Sequence, residues 1–402
     1  MKGSPSAFKK GHPRSRFESR IAAAGGSSRI VSNSLRIAVL VNPFMLHAKG
    51  GAHAPRLAKA LRERGHVVRG FGAPPGTFAS EADAEEEAQG GLERFDPQAI
   101  LAYDALSPAA WMGARQARRS GCPLVLVESG FTGSGPIHAR FLRRAGEAMW
   151  GSYIRHTAQA VACLDPYAVG LAESEGFHAE RIHQVPVGVD LERYRPGLSS
   201  SLLASHRVSG RVLLYVGRLD DRRGLETIIE AFGNTVGQRG DWSLVLAGEG
   251  GARRRLGALS HRLGVGARIH WLGLPSHEDR PGLIASATLL AVPALDESVR
   301  GKQIPRALAC GVPVLASDLP RFREIVAHGE RGLLVPPGDV EAWTAALRMA
   351  SSSPEARRRW SRAGREYAQR ELSWDAVATN FEGLIAHAEI EARARRELPS
   401  AR

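Results

Sequence analysis

Short apolar runs and amphipathic stretches take turns along most of this chain. Leu35-Arg-Ile-Ala-Val-Leu-Val41 has the length of a buried strand and ends in a loop containing Pro43. From Ala52 to Arg64, Leu57, Ala60 and Leu61 share one helical face, and Gly65 stops the pattern. The alternation predicts further strands near Ile100–Tyr103, Leu124–Val127, Ala160–Leu164 and Ile182–Val185, with helices near Pro108–Arg119, Ile137–Arg155 and Pro166–Glu175. The acidic, Gly-containing stretch Glu81–Glu93 is predicted as an exposed helix or loop. A segment holding Pro186, Pro196, Gly197 and a Ser-rich patch interrupts the rhythm like a linker. A second series follows, with strands over Val212–Val216, Ser243–Ala247, Arg268–Leu272, Leu289–Val292, Val312–Ala316 and Gly332–Val335. Its helices are predicted over Leu225–Val236, Arg253–Leu263, His277–Ser286 and Ile304–Ala309, and from Val340 to the C-terminus.

Strands alternating with helices of this length demand parallel sheet covered on both faces. The expected fold is α/β, with two facing doubly wound, Rossmann-like domains. The boundaries are a basic tail over 1–34, a first domain over 35–187, a linker over 188–205, a second domain over 206–372 and a terminal helix over 373–402. Facing sheets of this kind bring the carboxyl ends of their strands to one cleft, where ligands bind.

Composition adds exclusions. The chain has 402 residues, 43% hydrophobic and 24% charged, an ordinary globular mixture. No apolar run approaches the ~20 residues of a spanning helix. Of the net charge of +13, +6 sits in residues 1–34, where seven Lys/Arg accompany one Glu. That tail lacks the apolar core of a secretory signal and is expected to be disordered, either a solvated extension or a tether to anionic lipid. No helix-turn-helix, zinc finger or aromatic-rich basic patch accompanies the charge, so nucleic acid is not an expected partner. Cys122, Cys163 and Cys310 stand singly, without metal-ligand spacing, and are expected to be inert thiols in a reducing cytoplasm.

Candidate chemistry lies at strand ends of the second series. In Gly217-Arg-Leu-Asp-Asp-Arg-Arg223-Gly224 a strand runs into a permissive glycine, basic residues and a helix start. Such a turn cradles anions, and Arg218 and Arg223 add guanidinium groups that grip phosphate oxygens. Gly248-Glu249-Gly250-Gly251 and Leu272-Gly273 are further strand-to-glycine turns. Asp296-Glu297 precedes Gly301 and a helix, where a carboxylate can bind sugar hydroxyls or merely cap the helix.

Gly217–Phe232, Leu246–Gly273, Val292–Asp318 and Arg323–Asp339 together resemble the donor half of family-4 glycosyltransferases, which have the GT-B fold. Pro186-Val-Gly-Val-Asp190 with Tyr194-Arg-Pro196 resembles the interdomain signature of that family. Leu372-Ser-Trp-Asp375 resembles its C-terminal crossover onto the first domain. The resemblance implies an enzyme that moves a sugar, with retention, from a nucleotide-sugar donor to a glycan or lipid-linked acceptor, without a required metal or other cofactor. It implies that Arg218, Arg223 and Glu297 are catalytic. It assigns donor binding to Gly50, Gly51, Gly217, Gly248, Glu249, Leu272, Gly273 and Arg306. On the acceptor side it points to Glu128 and Ser129, standing where the family usually has a His. The expected place of action is the cytoplasm, peripheral to the inner face of the membrane if the basic helix near Ile137–Arg155 meets anionic lipid rather than packing on the sheet.

The departures matter to this expectation. Counting back from Gly311 puts Arg306 where the family has its second Glu, and Ser298 where it has the first, with Glu297 one residue early. Arg223 replaces the usual Lys, and Val187 the interdomain Asn. A weak or inactive nucleotide-sugar-binding pseudoenzyme is therefore the alternative expectation.

Overall fold

The computed structural model describes residues 34–41, 53–72, 91–129, 146–237 and 241–397. Two six-stranded sheets, parallel throughout, account for its strands. The first comprises β1 (Arg36–Leu40), β2 (Val67–Phe71), β3 (Ala99–Tyr103), β4 (Leu124–Glu128), β5 (Ala160–Cys163) and β6 (Ile182–Gln184), in the order β2-β1-β3-β4-β5-β6. The second comprises β7 (Arg211–Val216), β8 (Trp242–Ala247), β9 (Ile269–Gly273), β10 (Leu289–Val292), β11 (Val314–Ser317) and β12 (Gly332–Val335). Its order, β12-β11-β10-β7-β8-β9, is the Rossmann order, reversing direction between β7 and β10.

Each sheet is covered on both faces, which is why its strands are near-continuous apolar runs. β3 and β4 are buried at all five positions. In the second half, Trp242, Trp343 and Trp360 are completely buried. Helices start where the sequence supplies caps. Ser107, Asp165 and Asp339 each accept from a backbone N–H one turn into their helices, and proline follows Ser107 and Asp165 directly.

One expectation needs amendment. β2 has no counterpart in the predicted strands, because only Val68 and Gly70 of its five residues are buried and no apolar run announces it. The helix expected near Ile137–Arg155 is described only in its last part, as a π-turn over Glu147–Gly151 and a helix over Ser152–Thr157. The linker contains a short helix, Ser201–Ser205, capped by Ser200. The basic tail, and most of the acidic stretch before Glu93, lie outside the described residues.

The last helix, Trp374–Glu397, returns to the first half, where Val377, Phe381, Leu384 and Ile385 join the core against β1, β3 and β4. Glu382 anchors it by accepting from Arg64 at 2.7 and 2.9 Å and by pairing with His66 at 2.9 Å. Burial alone would raise its carboxyl pKa, but these hydrogen bonds outweigh it and hold the group below its ordinary value. Among the described residues, no helix is long and apolar enough to cross a membrane.

Candidate active site

The crevice at the carboxyl ends of β7 and β10 is knitted from three loops. After β7, the Gly217 N–H donates to the Ala247 carbonyl (3.0 Å) and the Leu219 N–H to the Glu249 carbonyl (2.8 Å), so the two loops run on as a pair. This pairing is too close for side chains. A Cβ at Gly248 would lie 1.7 Å from the Gly217 carbonyl oxygen, and one at Gly250 2.1 Å from that of Leu219. A 3₁₀ turn over Asp221–Arg223 then leads to Gly224, whose φ of 61° is left-handed and whose Cβ would meet the Pro293 carbonyl oxygen at 1.8 Å. The Leu295 N–H donates to the Arg222 carbonyl (3.0 Å), locking the β10 loop to the β7 loop. Backbone approaches that tight explain the glycines and leave the crevice walled by main chain.

Arg218 and Arg223 share one counter-charge there. Asp220 lies 3.2 Å from Arg218 and 3.1 Å from Arg223, whose side chains are 69% and 22% exposed respectively. Asp221 is turned away, bonded to Arg255 at 2.6 Å. Two guanidinium groups on one carboxylate leave a net positive charge at the rim of a main-chain cradle, which suits an incoming diphosphate. Beside them, a hydrogen bond from Ser298 lowers the pKa of Asp296, helped by Arg222 and Arg223. Among the described residues, no group of three or more His, Cys, Asp or Glu could hold a metal ion.

Glu297 faces the first half. Its Oε2 lies 3.0 Å from Nε of Arg321, whose side chain is 3% exposed and whose Nη2 lies 3.6 Å from Asp165. Arg321 also lies over the Tyr167 ring at 5.2 Å. Burial raises the Glu297 pKa against the lowering effect of Arg321, and its Oε1 is buried with no hydrogen-bond partner. Arg300 sits in the fields of Asp165, Glu128 and Asp104. Asp104, Glu128 and Asp165 stand at or just beyond the carboxyl ends of β3, β4 and β5, so first-half carboxylates gather opposite second-half arginines. Glu128 itself is fully buried and accepts weakly from the Ala105 N–H at 3.4 Å, with Ser129 next to it.

The remaining predicted positions are dispersed. Gly50 and Gly51 lie outside the described residues. Glu249 is exposed in the β8 loop. Leu272 has its side chain in the core, so only its backbone can face a ligand, and Gly273 beside it is left-handed (φ 66°) with open space around it. Arg306 lies with its guanidinium over the Tyr194 ring at 5.3 Å and donates to Gln303 at 3.0 Å. All three cysteines are buried and free, and burial raises the Cys163 and Cys310 thiol pKa values, that of Cys310 to about 12.

Residues 205–367, which carry this crevice, match the sequence profile of the family described as Glycosyl transferases group 1. Over that span the chain is similar to group 1 glycosyl transferases. Curated relatives include a D-inositol 3-phosphate glycosyltransferase of Jonesia denitrificans, 28% identical over 247 residues, covering 57% of this chain and 56% of that one. A phosphatidyl-myo-inositol mannosyltransferase of Mycobacterium leprae is 30% identical over 199 residues, covering 49% of this chain and 51% of that one. The chain thus spans little more than half the length of these curated relatives. Among solved structures, Anabaena HepE in complex with UDP and glucose superposes with a TM-score of 0.63 at 20% identity, covering 86% of this chain and 98% of that one. The two-sheet arrangement is the GT-B fold.

Within this architecture, sequence reasoning passed over Asp104, Asp165, Arg300 and Arg321. One local signal was available: Arg321 follows Pro320 at a helix N-terminus, where a cation opposes the helix dipole. Asp104 adopts a left-handed φ of 61°, which nothing in its neighbours announces.

Proposed function

We propose that this chain transfers a sugar from a nucleotide-sugar donor to a glycan or lipid-linked acceptor, with retention of anomeric configuration. The observation that carries the reading is the main-chain cradle at the β7/β10 switch point with Arg218 and Arg223 sharing Asp220. Negative charge gathers on the departing diphosphate as the sugar bond breaks, and prepositioned guanidinium groups stabilise it without reorganising. HepE, named for its complexes with UDP and glucose, supports a nucleoside-diphosphate sugar in such a cleft, and the relatives named for inositol-phosphate and phosphatidylinositol acceptors support a hydroxylated acceptor on the first-half side. Glu297 is assigned the sugar hydroxyls through its unpartnered Oε1. With Asp220 and Asp221 both engaged by arginines, the proposal gives no role to a metal.

The test is release of nucleoside diphosphate from a panel of donors, with and without acceptors, in buffer and in EDTA. Release from one donor that survives chelation is the expected result, and NMR of the product gives the anomer. Donors that neither bind nor release nucleotide would overturn the proposal. Loss of release in EDTA, restored by Mn²⁺, would overturn its metal-free part.

A further inference from the structure

A second group of arginines gathers between the two halves, on the side of the linker. Arg56 comes from the first helix, His53–Glu63, and Arg193 from the crossing segment. Arg280 and Arg306 come from the helices Asp279–Ala285 and Gln303–Ala309. Arg56, Arg193 and Arg280 all lie close enough to oppose the charge on Arg306, on top of its burial. The same four press on the His277 imidazole and, after its partial burial, lower its pKa further.

Among the described residues, their partners do not balance them. Asp190 lies 3.5 Å from Arg56. The others meet neutral groups: Arg193 donates to the His277 carbonyl, Arg280 to the Pro275 carbonyl (3.1 Å) and Arg306 to Gln303 (3.0 Å). Nε of Arg193 and Nε of Arg280 are buried and have no hydrogen-bond partner. Converging cations from four separate segments repel one another, and buried donors without acceptors lose their hydration for nothing. A fold keeps such an arrangement when an anion completes it.

We propose that Arg56, Arg193, Arg280 and Arg306 form a second anion site, apart from the Arg218/Arg223 cradle, that takes a phosphate group. Phosphate fits better than a carboxylate. Its double charge matches guanidinium groups left over after Asp190, and its oxygens accept from several planar forks at once. Arg306 thus serves an anion at the position where the resembled family has its second Glu. The site stands independently of sugar transfer, because its readout is binding.

The experiment titrates inorganic phosphate into the full-length chain by calorimetry, at low ionic strength in a phosphate-free buffer. Wild type should bind phosphate, Arg280→Gln and Arg306→Gln should each weaken that binding by about tenfold, and Arg211→Gln, at the amino end of β7 and paired with Asp241, should leave it unchanged. Far-UV dichroism checks folding, and Arg56→Gln, whose side chain is 34% exposed, carries the same test if either variant does not fold. Competition then identifies the source of the phosphate. A nucleoside 3′,5′-bisphosphate that displaces UDP assigns the group to the nucleotide, whereas a sugar phosphate that binds together with UDP assigns it to the acceptor. Phosphate affinity that is absent in wild type, or equal in wild type, Arg280→Gln and Arg306→Gln, overturns the proposal. Failure of UDP to bind counts against the donor reading alone, since the phosphate titration needs no donor.

Discussion

Replacing Gly248 by alanine tests whether the paired β7 and β8 loops form the diphosphate cradle. The new Cβ would start 1.7 Å from the Gly217 carbonyl oxygen. An ordinary contact between these atoms is a little over ~3 Å, so the β7 loop must retreat by roughly 1.5 Å. Gly217 is followed directly by Arg218, and the Tyr215 hydroxyl donates to the Arg218 carbonyl at 2.6 Å, so the displacement falls on the guanidinium cradle itself. A shift of this size costs about 1–3 kcal/mol of stability as overpacking. A misplacement of ~1 Å at a catalytic group costs roughly 100-fold in rate. The control is Gly251→Ala in the same loop, where an added Cβ meets nothing within 4 Å; that variant should stay within about 0.5 kcal/mol of wild type and keep its affinity. Calorimetric titration with UDP and thermal melts of both variants read the two quantities separately. Wild-type affinity and turnover in Gly248→Ala would refute the cradle, since the loops would then tolerate separation without consequence.

Arg218→Ala and Arg223→Ala should each weaken nucleoside-diphosphate binding by about 1.5–3 kcal/mol with little change in melting temperature, because both side chains face the crevice rather than the core; unchanged affinity in both would remove the site. Glu297→Gln should lower turnover while leaving UDP affinity nearly intact, since a carboxylate that meets only the sugar contributes to transfer and not to diphosphate grip; an equal loss of both would contradict that assignment. Glu382→Gln should destabilise the chain by about 1.5–3 kcal/mol at neutral pH by breaking the pairing with Arg64 and His66. The folded Glu382 pKa lies below its ordinary value, so the stabilisation is present above the ordinary carboxylate range and lost as pH falls through the folded value. The gap between wild type and Glu382→Gln in denaturant melts should therefore narrow on acidification, and a constant gap down to acid pH would count against the ion pair.

The alternation of strands and helices was legible because each parallel strand is buried on both faces and writes itself as an apolar run. β2 escaped because an edge strand with Arg69 and Gly70 in it needs no such run. The Arg218/Arg223 loop could be found because its glycines are demanded by contacts with neighbouring turns. The ring that Asp104, Asp165, Arg300 and Arg321 form around Glu128 could not, since it exists only when two sheets face each other, and each of those four alone resembles an ordinary surface charge. Arg306 shows the same limit: counting from Gly311 located the departure, but its company of Arg56, Arg193 and Arg280 is contributed by three other segments.

The two places where the chain passes between the halves touch. The Val189 N–H donates to the Leu372 carbonyl at 2.7 Å, and Val189 pairs with Ser373 as a single bridge. A Cβ at Gly188 would collide with the Trp374 ring at 2.7 Å, and Trp374 in turn lies edge-on to His53, 5.2 Å between ring centres. A body held to another by a single cord can swivel about any direction. One held by two cords fastened side by side can only fold along the line through the fastening. The halves of this molecule are joined in the second way, and the ring of Trp374 sits wedged in the fold line. Any turning of one half against the other has to pass through this seam, where Gly188 and Trp374 are in contact.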